Sequence, residues 1–442
     1  MSLFGLALIA LTTLFPILQL AALPNVTDKI ALFSQYLGMA ALILMAWGQI
    51  MATRLRGIET IFGGLDRVYV LHKWAGIIAM LAILVHDTID ADMDGLGAET
   101  ALNDLAETLG EISLYGLLIL VVISVATFIP YHLWKWTHKA MGALFAAGTF
   151  HFFFILKPFA MTDPAGFYTG AFCIAGLIAY AWTVLPETMR PSHGYRITAL
   201  EQTGDATAIT LAPMGRGLRH KAGQFGVFRF TGANMGEAHP FSFSDAPRPD
   251  RGLRVTIKPM GDFTIKLLPA LQIGQELRLQ GPYGRFERKG KKPEIWIAAG
   301  IGITPILAWA ETLEADSAPV DLFYCIRTRA LAPHLDRIEE LAASNPNLTL
   351  HLIVSSEGRR LTPELIFDTI GARLSEAKLG FCGPASLREA LKTGLRRYGV
   401  TARNFHYEEF EFRTGIGLEQ LARWVLARAA AKARNLGQRQ SS

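Results

Sequence analysis

Along the first 185 or so positions the chain runs in long uncharged apolar stretches broken by short polar connections. Beyond them, apolar and polar positions alternate at shorter range. The apolar stretches fall at about 3–23, 30–52, 69–89, 112–130, 138–157 and 166–185. Each approaches the ~20 residues a helix needs to cross ~30 Å of hydrocarbon, so the pattern predicts a bundle of six membrane spans. The first stretch lacks the basic start of a secretory signal and is read as a span; its removal would leave the remaining topology unchanged. From 191 to 290, alternation over Tyr195–Leu200, Ala206–Leu211, Gln224–Phe230, Leu253–Lys258 and Glu276–Leu279, with Gly and Pro between, predicts an antiparallel β-barrel. From 291 to 413 the pattern changes again. Glu294–Ala299 reads as a buried strand opening onto glycines and a helix, and further strands end at Arg327 and Cys382, as in an α/β layer.

Composition sharpens this division. A hydrophobic share of 51% and a mean hydropathy of +0.27 are high for a water-soluble chain of 442 residues. Three scattered cysteines (Cys173, Cys325, Cys382) exclude a disulfide framework, a thiolate zinc site and a four-cysteine iron–sulfur cluster. A net charge of +5 is too modest to imply nucleic-acid binding. Charge is more informative through its placement. Arg54, Arg56 and Arg67 follow the second span and Lys135 and Lys139 precede the fifth, so those loops are expected on the cytosolic side. Asp87, Asp90, Asp92, Asp94, Glu99, Asp104, Glu107 and Glu111 lie between the third and fourth spans without a Lys or Arg, so that loop is expected outside. Arg190 and Arg196 then lead into a cytosolic polar half.

Ionisable groups inside a bilayer are costly and usually functional. His72 and His86 are 14 residues apart on the third span, a spacing that returns nearly to one helix face after ~21 Å of rise. His138 and His151 are 13 apart on the fifth, ~140° off one face on an ideal helix. The two spans run the same way, so His72 pairs with His138 near the cytosol and His86 with His151 near the outside. A single such histidine would ordinarily be an interfacial or helix-bonded residue; four at two matched depths point to bis-histidine ligation of two haem irons, with no axial position left for substrate. His132, beside Trp134 and Trp136, reads as part of an interfacial aromatic belt, or a secondary contact, rather than a ligand.

In the polar half, His239-Pro240-Phe241-Ser242 sets hydroxyl and aromatic groups on a rigid backbone that a flat ligand could meet. Lys258, Gly261 and Thr264 group a cation, a glycine and a hydroxyl as a pyrophosphate would require, or form a strand ending in a turn. Gly300, Gly302, Thr304 and Pro305, between a strand and a helix, resemble a phosphate cradle lacking the third fingerprint glycine. Arg327, closing the next strand, either pairs with a 2′-phosphate or is an exposed structural arginine. Cys382, Gly383 and Pro384 close the third, and an isolated cysteine there is by default a small buried hydrophobe.

Together these features resemble the NADPH oxidase and ferric reductase superfamily over about residues 30–413. The resemblance implies a transmembrane ferric-reductase-like di-haem domain (1–190), an FAD-binding barrel of ferredoxin-reductase type (191–290) and an NAD(P)H-binding α/β domain (291–413), followed by a basic C-terminal helix or tail (414–442). It implies His72, His86, His138 and His151 as haem ligands, His239–Ser242 and Lys258–Thr264 as the flavin motifs, and Gly300–Pro305 with Cys382–Pro384 as the nicotinamide motifs. It also implies an aromatic over the flavin ring, which falls on Phe410 with Phe412 as rival, or else both belong to a last strand. Phe410 and Cys382 are thus the residues expected at the reacting centre. The implied cofactors are FAD, two b-type haems and NADPH or NADH. The implied acceptor is dioxygen giving superoxide, with a ferric chelate or a periplasmic protein as alternatives. The expected setting is a lipid bilayer, the bacterial inner membrane, with flavin and nucleotide domains cytosolic. Two departures stand out. The first span begins at once, without the calcium-binding extension of some members, so calcium activation is not expected. The chain also runs on past Phe412 through Arg423, Arg428, Lys432, Arg434 and Arg439, either a basic helix on the inner leaflet or a solvated tail. A reading from another class is a membrane-embedded electron-transfer partner that reduces a periplasmic protein rather than acting as an oxidase, and a blander one is a haem-free transporter or structural membrane domain joined to a flavin reductase.

Overall fold

The computed structural model describes residues 3–23, 28–89, 100–125, 131–186, 189–232, 235–288, 290 and 292–407, without the side chains of Arg56, Asp66, Val125, Tyr131 and His132. Two units are formed, Met1–Leu185 and Pro186–Phe410.

The first unit is helical: α1 (Leu3–Ala21), α2 (Lys29–Ala52), the short α3 (Arg56–Phe62), α4 (Leu65–Thr88), α5 (Asn103–Val125), α6 (Tyr131–Phe154) and α7 (Pro164–Val184). Local chemistry sets several ends. Asp28 caps α2 by accepting from the Ile30 and Ala31 amides, and Pro164 opens α7, where its missing N–H costs nothing. Among the described residues, five helices are long and apolar enough to cross a membrane, namely α1, α2, most of α4, most of α5, and α7. Large apolar side chains such as Phe167, Ile178, Leu81 and Val122 stand exposed on them, an arrangement suited to lipid rather than water. The helix α6 has the length of a span, but its first turns carry Lys135, Lys139 and His138, which keep it out of that set. Two expected boundaries move. The fourth span begins at Asn103 rather than near 112, so Asp104, Glu107 and Glu111 are helical rather than in a loop. Residues 131–137, expected as loop, form the first two turns of α6. Asp90, Asp92, Asp94 and Glu99 lie outside the described residues.

The second unit holds two sheets. The antiparallel one comprises β1 (His193–Thr203), β2 (Ala206–Pro213), β3 (Phe225–Phe230), β4 (His239–Ser242), β5 (Leu253–Ile257) and β6 (Glu276–Tyr283), in the order β4-β3-β6-β1-β2-β5. A bridge between Phe243, just past β4, and Val255 on β5 brings the two edge strands together. Inward positions of the alternating pattern meet in one core around Tyr195, Phe228, Phe230 and Phe243. The parallel sheet comprises β7 (Glu294–Ala299), β8 (Val320–Ile326), β9 (Leu348–Val354), β10 (Lys378–Cys382) and β11 (Phe405–Tyr407), in the order β11-β10-β7-β8-β9. Its strands are apolar on both faces and separate two cores, one around Trp296, Trp309 and Tyr324, the other around Phe323, Phe381 and Phe405, as expected when helices cover both sides. Counted from β7, the order is 3-2-1-4-5, so the winding reverses between β7 and β10. A crevice at the carboxyl ends of those two strands follows from that reversal.

Candidate functional site

The four membrane histidines converge on two places. His72 on α4 and His138 on α6 face each other with ring centroids 5.8 Å apart and planes at 58°. His86 and His151, toward the other ends of the same helices, lie within electrostatic reach of each other. Each Nδ1 is held. That of His72 lies 3.0 Å from the Gly48 carbonyl, that of His86 2.9 Å from the Ser34 carbonyl, and that of His151 2.9 Å from the Ala106 carbonyl. The Nδ1 of His138 instead meets the Ser124 hydroxyl at 3.2 Å. A carbonyl can only accept, so in three of the rings the proton sits on Nδ1 and the Nε2 lone pair is left for a metal. The 13-residue spacing on α6 is thus met by two different kinds of partner, a hydroxyl for His138 and a carbonyl for His151.

Glycines make room for these rings. A Cβ on Gly110 would lie 2.5 Å from His151 Nδ1, and one on Gly38 would lie 3.3 Å from His86 Nε2. Gly48, whose carbonyl holds His72, lies under that ring. Two imidazoles bound to one iron through bonds of ~2 Å would have centroids ~6 Å apart, close to the His72–His138 separation. The donor set therefore fits a haem iron at that place. Among the described residues there is no group of three or more His, Cys, Asp or Glu that could hold another metal ion. Trp134, expected as an interfacial anchor, stacks on His138 at 5.0 Å and 20°.

In the second unit the two expected flavin motifs touch. His239-Pro240-Phe241-Ser242 is the edge strand β4, and His239 stacks on Phe263, centroids 3.7 Å apart. Phe263 belongs to the short helix α8 (Asp262–Leu267) that follows Lys258 and Gly261. Lys258 is ion-paired with Asp205 at 2.6 Å. The Thr264 hydroxyl accepts from the Met260 and Gly261 amides and so closes the turn. An incoming phosphate would have to compete with both arrangements. Ser242 is buried.

Both expected nicotinamide motifs open at the crevice between β7 and β10. Gly300 takes a left-handed φ of +53° at the end of β7, and a Cβ there would meet nothing within 4 Å, so its backbone is approachable. Gly302 has a different duty. A Cβ there would strike the Cys382 carbonyl at 2.2 Å, so the two motifs interlock. Thr304 and Pro305 are buried in the start of α9 (Ile303–Ala310), with the Thr304 hydroxyl donating to Ile301. Gly383 packs on Ala299, and Pro384 caps α12 (Ala385–Gly394). Cys382 is fully buried in the core, and the thiol of Cys325, one strand over, is pushed up to about 12 by burial. Arg327 is exposed just past the end of β8. Phe410 and Phe412, with the basic tail, lie outside the described residues.

A polar network that the motifs did not announce ties the antiparallel strands to the parallel-sheet half of the second unit. Glu311, next after α9, accepts from Arg254 of β5 at 3.1 Å and from the Ala246 amide at 3.0 Å. Thr256 Oγ1 lies 2.7 Å from Nε2 of His334 and donates to Ser244 at 2.9 Å. Burial pushes Asp245, which accepts from the Arg254 amide, up to about 6, and holds His334 down to about 4. These residues, with Ser34, Ser124 and the three glycines, escaped sequence reasoning. One signal was available: Ser34 and Gly48 are 14 residues apart, as are His72 and His86.

Residues 37–149 match the family model described as "Ferric reductase like transmembrane component", a span that includes His72, His86 and His138 and stops two residues short of His151. The chain is also similar to curated proteins. It is 27% identical over 223 residues to a flavohemoprotein of Deinococcus radiodurans, covering 46% of this chain and 55% of that one. It is 29% identical over 221 residues to a flavohemoprotein of Chromobacterium violaceum, covering 44% and 54%. It is 24% identical over 226 residues to the ferredoxin–NAD(P)(+) reductase component of the naphthalene 1,2-dioxygenase/salicylate 5-hydroxylase systems of Ralstonia sp., covering 48% and 67%. The chain thus spans about half to two thirds of the length of these relatives.

Proposed function

We propose that the chain is an oxidoreductase of the ferric reductase and NADPH oxidase-like superfamily, a transmembrane NAD(P)H oxidoreductase that passes electrons through FAD and two b-type haems to an acceptor across the membrane, dioxygen giving superoxide. The observation that carries this reading is the facing pair His72 and His138, with the Nδ1 of His72 and the Nδ1 of both His86 and His151 committed to backbone carbonyls. In this reading His72 with His138 hold one haem and His86 with His151 the other, α6 is the fifth of six spans, the antiparallel sheet is the FAD barrel, and the polar half is cytosolic. FAD when bound converts two-electron hydride chemistry to single electrons, which six-coordinate haem iron carries.

The protein's own residues supply position and exclusion. His239, Phe263 and Phe241 offer stacking surface beside the flavin strand, and Ser242 a hydroxyl at its end. The open Gly300 backbone and the N-terminus of α9 favour a pyrophosphate at the crevice, and Gly302 against Cys382 fixes the crevice width. Arg327, exposed just past β8, is the cation offered to a 2′-phosphate, which would favour NADPH. The carbonyls on Nδ1 hold three rings in the tautomer that ligates through Nε2. Two imidazoles holding one iron would leave it no open position for an acceptor, so the pairs His72–His138 and His86–His151 would favour electron transfer over binding of substrate at the metal. Ferric chelate is the second reading, favoured by the description of the matching family, and a protein acceptor the third. Reduced-minus-oxidised absorption spectra of the purified protein test the proposal: NADPH should develop b-type haem bands equal to two haems per chain, with superoxide formed in air. Absence of any haem band would leave a flavin reductase joined to an inert membrane domain.

A further inference from the structure

The helix α2 carries none of the four histidines, yet it braces both that come from α4. It packs antiparallel to α4, so its positions 34 and 48 fall opposite 86 and 72. At position 48 the brace is a bare glycine carbonyl. At position 34 a side chain is added. Ser34 Oγ lies 2.9 Å from the His86 Nδ1 that also lies 2.9 Å from the Ser34 carbonyl, and the same hydroxyl donates to the His86 carbonyl at 3.3 Å. Since the carbonyl requires a proton on Nδ1, and the hydroxyl proton is given to His86 O, the hydroxyl turns a lone pair toward Nδ1. One N–H is therefore shared between two acceptors. Ser34 is 2% exposed, so water does not compete with it.

We propose that Ser34 is a positioning residue that makes His86 the most electron-donating of the four imidazoles and so lowers the reduction potential of the outer haem; this rests on the di-haem reading above. An acceptor on Nδ1–H raises the basicity of Nε2, and a more basic axial ligand stabilises the oxidised iron. His72 and His151 have one carbonyl each, and His138 a single hydroxyl at the longer 3.2 Å. The competing role for a buried membrane serine is a simple helix-to-helix hydrogen bond, which would leave potentials unchanged.

The test is spectroelectrochemistry of the full-length, haem-loaded protein and its Ser34→Ala and Ser34→Thr variants. Ser34→Ala should move one of the two haem midpoints to more positive potential and leave the other in place, and Ser34→Thr should restore it. Two bound haems with both midpoints unmoved, or both moved together, would overturn the proposal. If Ser34→Ala fails to hold two haems, Ser34→Cys, which keeps a weaker acceptor, should give a smaller positive shift, and no shift would again overturn it. A parent protein without two six-coordinate haems would defeat the di-haem reading itself, a distinguishable outcome.

Discussion

Replacing Gly110 by alanine is expected to empty one haem site and spare the other. The new Cβ would stand 2.5 Å from Nδ1, 3.0 Å from Cε1 and 3.1 Å from Cγ of His151, whereas ordinary contact begins at 3.4 Å. The ring must therefore retreat from α5 by 3.4 − 2.5 = 0.9 Å. Its bond to the Ala106 carbonyl, now 2.9 Å, comes from one turn earlier on the same helix, so the retreat stretches that bond beyond useful range. Loss of the bond costs ~1 kcal/mol and the overpacking ~1–3 kcal/mol. Together, about 2–4 kcal/mol weakens the outer haem roughly 30- to 700-fold, since each 1.4 kcal/mol is tenfold. Haem per chain, measured by pyridine haemochrome after purification in detergent, should fall from two toward one, with the remaining haem still six-coordinate. Gly57→Ala, where a Cβ meets nothing within 4 Å, is the control and should keep both haems. Retention of two haems with an unchanged spectrum in Gly110→Ala would refute the assignment of His151 as a ligand held by α5.

Three further outcomes follow from the same geometry. His86→Leu should abolish reduction of the outer haem while NAD(P)H still reduces the flavin in stopped-flow traces; loss of both reductions would contradict the electron order. Arg327→Ala should lower kcat/KM for NADPH relative to NADH by roughly 10- to 150-fold, from a lost charge-assisted bond of ~1.5–3 kcal/mol, and equal effects on both would remove the 2′-phosphate role. Asp245 and His334 should oppose each other between about pH 4 and 6. With Asp245 raised from 3.8 to about 6, the folded chain holds more protons there than the unfolded chain and loses stability as pH rises; with His334 lowered from 6.5 to about 4, it holds fewer and gains stability. Asp245→Asn leaves the histidine unopposed, so calorimetry should show a thermal midpoint rising more steeply with pH from 4 to 6 than in the parent, and an unchanged or flatter slope would contradict the burial argument.

By itself the sequence determined the elements and the chemistry they carry. Apolar run length marked the membrane helices, period-2 alternation marked β1, β2, β3, β5 and β6, and the 14-residue interval put His72 and His86 on one face, because each of these depends only on local geometry. Charge blurred the edges: α5 takes in three acidic residues, and α6 begins in a basic, histidine-bearing segment that hydropathy alone reads as loop. The short strands β4 and β11 gave weaker signals than the motifs around them. What only the tertiary structure decided is which distant positions meet. Gly302 touches Cys382 because the sheet reverses its winding between β7 and β10. The histidines find their partners in the carbonyls of Gly48, Ser34 and Ala106 because α2 and α5 pack antiparallel against α4 and α6 in one register. Every residue carries a carbonyl, so such an acceptor leaves no mark in the amino-acid code, and its role appears only when packing sets it opposite a ring.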